Sequence, residues 1–506
     1  MTSAAPADTD PHHPAATRPP FARLPAWSAV LTVAVLLTVL SSRYGFHRDE
    51  LYFRMLTPAW NYLDQPPLTP WLVRTMTSLV ADEAWAVRIP ATLFLAGSVL
   101  VIAAITREVG GSAAAQMISA WGYAFGALPL TMGHVMLTAS VDLLVWPLVA
   151  LFVIRALRRE DARWWIPAGV LIGLSTYNKL LIAYLVIALL MGLAAWGPRR
   201  VFRSPWPWSA AGLAVLIALP NLIYQATHDW PQLAMGAALS GNNGSDVRVQ
   251  AVPFLALLIG PPMVPIWVAG LVALARRPDW RPLRSLVVAL LVVVALTVIG
   301  GAQVYYPLGL LAVVFAIGAV PTADWIHRGR GRVRRVLVTT AVALDVVVCS
   351  VISLPVLPLS VVGSTPVLDI NQTVGDQIGW PTYVAQIRSV IDSLSPADRA
   401  GAVIIATNYG EAGALDRFGP ASALPPILSG HNALADQSAV PASVTVAVVV
   451  GEQVRTAGTV FESCRTVAVL DNGVDADNEE QDQPIALCRN PIGGFPAAWR
   501  EFRHLD

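Results

Sequence analysis

Eleven or so apolar runs, separated by short polar stretches, govern what this chain can become. They lie at about Ala26–Ser42, Trp85–Ile105, Ala113–Leu130, Leu137–Leu157, Trp164–Tyr177, Leu180–Trp196, Trp208–Ala226, Val252–Ala275, Ser285–Gly300, Tyr306–Pro321 and Val336–Leu359. With 55% of its 506 residues apolar and only 13% charged, the chain lacks the polar surface a water-soluble globule of this size needs. Lipid has to be its solvent, and the fold class is a polytopic α-helical membrane protein of about 11 transmembrane helices. Trp164–Tyr177 is shorter than the ~20 residues of a perpendicular span, so it and the next run are candidates for a re-entrant pair.

Arginine assigns the sides. Arg155, Arg158, Arg159 and Arg163 form one cluster, and Arg199, Arg200 and Arg203 the next. Arg276, Arg277, Arg281 and Arg284 follow, then Arg328, Arg330, Arg332, Arg334 and Arg335. All four fall in alternate loops, the cytoplasmic ones if the amino terminus is cytoplasmic. Residues 1–24, rich in Ala, Pro and Thr without an apolar core, then read as a disordered cytoplasmic tail and not as a signal peptide. Residues 25–359 form the transmembrane unit, with 43–84 as a first outer loop carrying interfacial helices. Residues 360–506 form an extracytoplasmic domain, where 17 acids face 8 arginines from Val361 onward. The arginines are spent on loops between spans, a pattern that points to a bilayer and not to nucleic acid.

The remaining polar residues are one-sided. Asp49 and Glu50 directly follow the first span, with Arg48 and His47 beside them. Asp64, Asp142, Lys179, His228, Gln303, Tyr305 and Tyr306 all map to the same outer face or to the outer end of a span. A one-sided set fits a site at the outer membrane surface better than an alternating-access path, which needs ionisable groups near the midplane. Asp64 stands before Gln65-Pro66-Pro67, where it reads equally as a helix cap or as a ligand. Asp142 lies about one turn inside a span and needs a partner. Lys179 is the only lysine among 34 basic residues. Its compact ammonium suits a phosphate, and interfacial snorkelling is the alternative.

Phe46-His-Arg-Asp-Glu-Leu-Tyr-Phe53, Asp64-Gln-Pro-Pro-Leu68, Tyr305-Tyr306, Asn408-Tyr-Gly-Glu-Ala-Gly-Ala-Leu-Asp416 and Ser429-Gly-His-Asn432 together resemble the bacterial family 39 glycosyltransferases of the GT-C fold. These are relatives of protein O-mannosyltransferases and of the aminoarabinose transferase of lipid A. The resemblance runs over nearly the whole chain from Ala26. It implies a plasma-membrane enzyme that moves a sugar from a polyprenyl-phosphate donor to an extracytoplasmic acceptor, which could be protein, glycan or lipid. It also implies Asp49 as the catalytic base, with Glu50 beside it. Where the family often has a basic residue before the paired tyrosines, this chain has Gln303, which shifts phosphate neutralisation to Lys179 and Arg48. Some relatives use a divalent ion, for which His47, Glu50 and His228 are the candidate ligands. A phosphate already leaves well, so one base suffices and the anomeric centre is expected to invert. Two other classes stay open: a lipid-linked sugar transporter or flippase, and a non-catalytic scaffold.

In the tail, Val403-Ile-Ile-Ala, Val444–Val450 and Thr466–Leu470 read as buried strands, while Pro381–Leu394 and Gly410–Phe418 read as helices, giving a small α/β domain. Glu411 reads as a first-turn acid without a catalytic role. Cys464 and Cys488 are the only cysteines of this domain. In an oxidising compartment they are expected to pair around an acidic, flexible loop.

Overall fold

The computed structural model describes residues 18–420, 424–441 and 443–506. Most of the tail expectation for residues 1–24 therefore lies outside the described residues. All eleven apolar runs are helical, but they differ in length. Seven helices among the described residues are long and apolar enough to cross a membrane: Arg23–Leu40, Ala84–Glu108, Thr138–Arg158, Pro205–Thr227, Pro278–Gly300, Leu308–His327 and Gly331–Ser353. Ile182–Trp196 and Pro261–Arg276 are shorter apolar helices.

The other runs are interrupted for identifiable reasons. Ala113–Leu130 divides into Ala113–Ala124 and Ala127–His134 at Gly126, which lies against the backbone of Ile259. Val252–Ala275 breaks at Gly260, whose φ of 141° is followed by two prolines that cannot donate to a helix. Trp165–Ser175 has 11 residues and a length of about 16 Å at 1.5 Å per residue, roughly half the hydrocarbon thickness. It is seated on Pro205–Thr227 through Gly169 and Gly173, where an added Cβ would meet the carbonyls of Ala210 and Ala214 at 2.3 and 2.8 Å. Small residues let two backbones approach this closely, which is how helices gain contact in lipid.

After Ser353 the chain builds a five-stranded sheet in the order β2-β1-β3-β5-β4. Its strands are β1 (Ala402–Ala406), β2 (Ile427–Ser429), β3 (Val446–Val450), β4 (Phe461–Val469) and β5 (Pro484–Pro491). β1 runs parallel to both β2 and β3, and β5 runs antiparallel to β3 and β4. β1 and β3 are wholly buried, matching their unbroken apolar reading. Cys464 and Cys488 stand opposite each other on β4 and β5 and are joined in a disulfide. The segment between them is not a free acidic loop, because Asn472 and Glu480 are buried within the domain.

Two helices fill the loop between the first two spans, Arg48–Met55 and Leu68–Leu79. The first was expected along the membrane interface. Instead Leu51, Tyr52 and Phe53 are buried, because Arg48–Met55 packs against Tyr409–Phe418 of the sheet domain. Gly410 and Gly413 form the contact: a Cβ at Gly413 would lie 2.8 Å from the Leu51 backbone, and one at Gly410 2.9 Å from Arg48 Cβ. Gly413→Val should therefore force the helices apart, at about 1–3 kcal/mol of overpacking. The check is a lowered unfolding temperature of the purified full-length protein, with Gly458→Val, at a position with open space around it, as the control that stays near wild type.

Candidate active site

The carboxylates Asp49 and Glu50 are neighbours in sequence with opposite environments. His47 caps the Arg48–Met55 helix: its Nδ1 accepts the Asp49 N–H at 3.1 Å, and Glu50 Oε2 accepts the His47 N–H at 2.8 Å. Glu50 is fully buried. Arg88 donates to Glu50 Oε1 from Nε and to Oε2 from a terminal nitrogen, both at 2.9 Å. The Met136 N–H supplies a further 2.9 Å bond to Oε1. With both oxygens engaged and none in the cavity described below, Glu50 is a structural acid. The structure therefore does not bring Glu50 into the cavity with Asp49.

Asp49 points the other way, into a cavity of about 1230 Å³. Among the described residues only Tyr409 donates to its carboxylate, from the phenol to Oδ1 at 2.9 Å. Tyr409 is placed by a second capping box at the turn after β1. Asn408 Oδ1 accepts the Glu411 N–H at 2.9 Å, and Glu411 Oε2 accepts the Thr407 and Asn408 amides at 2.7 and 3.4 Å. The Tyr409 ring stacks on Tyr52 with centroids 4.6 Å apart and lies 4.9 Å from the Arg48 guanidinium. Tyr52 in turn donates to Asp64 Oδ1 at 2.9 Å. Burial pushes Asp64 up to about 6, with the Tyr52 bond opposing and the Asp49 charge adding to the shift.

At the other side of the cavity Lys179 occupies the turn between Trp165–Ser175 and Ile182–Trp196. Its ammonium lies 5.1 Å from the Tyr306 ring and 5.8 Å from that of Tyr305. Burial opposes its charge, but the tyrosine hydroxyls and Asp142 outweigh that and hold it protonated. Asn178 fixes the turn, accepting from Thr69 at 2.8 Å and donating to the Thr138 carbonyl at 2.9 Å. Below this polar head the lining becomes apolar: Ile172, Leu190, Leu193, Ala211, Val215 and Leu222.

The cavity thus collects Arg48, Asp49, Asp64, Lys179, Gln303, Tyr305 and Tyr306. Asp142 stands behind Lys179 and not in the wall. Arg48 is less available to a phosphate than expected, because it is ion-paired with Glu479. The candidate metal ligands do not converge. Glu50 is saturated, His47 faces Asp376 at 3.5 Å, and exposed His228 stacks on Tyr224 at 4.0 Å. Among the described residues no group of three His, Cys, Asp or Glu side chains could hold a metal ion.

Residues 64–224 match the model of the dolichyl-phosphate-mannose-protein mannosyltransferase family, a stretch that contains Asp64, Asp142 and Lys179. No curated protein matches by sequence. The fold is similar to that of ArnT from Cupriavidus metallidurans in the apo state, at TM-score 0.54 and 13% identity, covering 92% of this chain and 98% of that one. It is also similar to the same protein bound to undecaprenyl phosphate, at TM-score 0.56 and 14% identity, covering 91% and 97%. The protein is a membrane glycosyltransferase of the GT-C fold.

Sequence reasoning did not select the residues this glycosyltransferase draws from its sheet domain. Tyr409 and His431 both line the cavity, and both lie within motifs that carried the family resemblance. Attention there went to Glu411, whose capping role the structure now accounts for.

Two outcomes follow for the glycosyltransferase. Glu50→Gln should cost about 3–5 kcal/mol of stability by leaving Arg88 buried without its counter-charge, seen as a lowered unfolding temperature that Asp49→Asn does not share. Glu480, buried beside Asn408, is pushed by desolvation from 4.5 up to about 8. The folded protein keeps this proton where the unfolded chain has lost it, so the contribution of Glu480 to stability is fully present below about pH 4.5 and is lost as pH rises to about 8. Glu480→Gln should flatten that decline in unfolding temperatures measured across the same range.

Proposed function

We propose that this glycosyltransferase takes a sugar from a polyprenyl-phosphate carrier and passes it to an extracytoplasmic hydroxyl, with Asp49 as base and inversion at the anomeric carbon. The observation that carries the reading is one cavity holding an oriented carboxylate, Asp49, at one wall and an ammonium, Lys179, at another, over an apolar flank. A polyprenyl phosphate needs those last two features together: apolar lining for its tail and positive charge for its head. Undecaprenyl phosphate is the ligand of the C. metallidurans ArnT structure, and a carrier of that class suits the cavity here.

In the reaction the acceptor oxygen attacks the anomeric carbon as the carbon–oxygen bond to phosphate breaks. The electron pair leaves on the phosphate, whose charge Lys179 balances while the Tyr305 and Tyr306 hydroxyls can donate hydrogen bonds to it, and the acceptor proton passes to Asp49. A single displacement inverts configuration, and it requires the base on the face opposite the phosphate. His47 accepts the Asp49 backbone N–H and Tyr409 donates to its carboxylate, so the carboxylate is oriented before substrate arrives. The arginine clusters support a cytoplasmic amino terminus and an extracytoplasmic sheet domain, which a reporter fused at Asp506 tests.

Asp49→Asn keeps shape and should lower turnover by roughly a hundredfold or more, the loss of a general base. Lys179→Met should weaken donor use severely and Lys179→Arg by less, because a planar fork replaces a point charge. Transfer from a polyprenyl-phosphate-linked sugar by purified protein is the assay. Wild-type rates in Asp49→Asn would remove the assigned base, and carrier movement across a bilayer without transfer would favour the flippase reading.

A further inference from the structure

His431 follows β2 in Ser429-Gly-His-Asn432 and is 2% exposed. Its ring lies between those of Tyr409 and His504, with centroids 4.6 Å from each. Nδ1 accepts the Tyr409 backbone N–H at 3.3 Å. A nitrogen that accepts from an amide carries no proton of its own, so the neutral ring must carry its proton on Nε2. That Nε2 is buried and has no hydrogen-bond partner. The main chain of Asp506 is near it but falls outside hydrogen-bond geometry. His431 also lines the cavity that contains Asp49.

The neighbours of this donor are satisfied. Asn432 donates to the Asp506 carbonyl at 3.0 Å and accepts its N–H at 3.2 Å, and Tyr409 is committed to Asp49. A buried donor left unpaired is costly, and unpaired groups of this kind collect where a ligand completes them. Its charge state narrows the ligand. Burial, then His504 and Arg48, push His431 down to about 3, so the ring is neutral wherever the protein works. It is therefore ill-suited to neutralising a phosphate or to relaying the acceptor's proton, and well-suited to an uncharged oxygen.

We propose that His431 Nε2–H donates a hydrogen bond to a hydroxyl of the carbohydrate bound beside Asp49, so that the sheet domain takes part in sugar recognition. This rests on the glycosyl-transfer reading and deepens it. The hydroxyl could belong to the donor sugar or to the acceptor, and the experiment separates them.

The test uses the full-length protein in nanodiscs and compares wild type, His431→Phe and His431→Gln. Phe keeps a ring in the stack and removes both the Nε2 donor and the Nδ1 acceptor of the Tyr409 amide, while Gln returns an N–H near the same place. Three quantities are measured: binding of polyprenyl phosphate, binding of polyprenyl-phospho-mannose, and transfer kinetics with separate KM values for donor and acceptor. The Phe variant should stay folded, with an unfolding temperature lowered by the lost Tyr409 amide bond, and bind bare polyprenyl phosphate normally, but lose tenfold or more in a sugar-dependent quantity that Gln partly restores. Loss of affinity for polyprenyl-phospho-mannose assigns the bond to the donor sugar, and a raised acceptor KM alone assigns it to the acceptor. A folded Phe variant with every sugar-dependent quantity unchanged overturns the contact. Wild-type protein that distinguishes loaded from bare carrier through His431, yet never transfers sugar, supports the contact and overturns the glycosyl-transfer reading. Should His431→Phe fail to fold, His431→Gln and His431→Met are compared as variants of similar length with and without an N–H donor, and equal sugar readouts in those two overturn the contact.

Discussion

One buried guanidinium ties the molecule together. Arg88, at the turn before Ile89–Glu108, donates to the Ser41 carbonyl at the end of the first span and to the Gly45 carbonyl after it, each at 2.7 Å. It also donates to Glu50 at 2.9 Å, reaches Gln377 of the sheet domain at 3.1 Å, and approaches His134 at 3.2 Å. A cation taken this far from water persists only when its donors are all matched. Matching them fixes the end of the first span, the Arg48–Met55 helix, the Ala127–His134 helix and the sheet domain relative to one another. Glu50 is thus held so firmly that Asp49, one residue earlier, has no freedom in where its backbone lies.

The site divides its labour between two parts of the chain. The membrane unit supplies the carboxylate, the ammonium and the apolar wall, and the sheet domain supplies the Tyr409 phenol that orients the carboxylate. Tyr409 orients Asp49, stacks on Tyr52 and shields the Arg48–Glu479 pair. A close glycine contact between two helices keeps that relation constant, because Gly410 and Gly413 leave no gap for the helices to slide.

Much of this was legible in the sequence because lipid imposes strict rules. Apolar runs and a one-sided polar set follow from the cost of burying charge, so the class and the cavity residues Asp49, Asp64 and Lys179 could be read directly. The helix count was less legible, since Gly126 and Gly260-Pro261-Pro262 break apolar runs that hydropathy alone reads as continuous. Least legible was which of two adjacent carboxylates faces the cavity. That depends on Arg88, 38 residues from Glu50, and on Tyr409, 360 residues from Asp49, and no local pattern encodes such distant partners. β5 escaped for a related reason: it begins at a proline, and its apolar core is only Ile485-Ala-Leu-Cys488.

The Tyr409–Asp49 bond also sets an order of assembly. Arg88 and Glu50 can meet once the first two spans exist, but the phenol that orients Asp49 is made last. At ~5–20 residues per second, the 360 residues between them take roughly 20–70 s to synthesise. For that interval the nascent chain holds its spans and an Asp49 carboxylate that lacks its Tyr409 partner. Completion of the sheet domain is then the step that orients Asp49, and a chain cut short before Tyr409 would keep its spans without that bond.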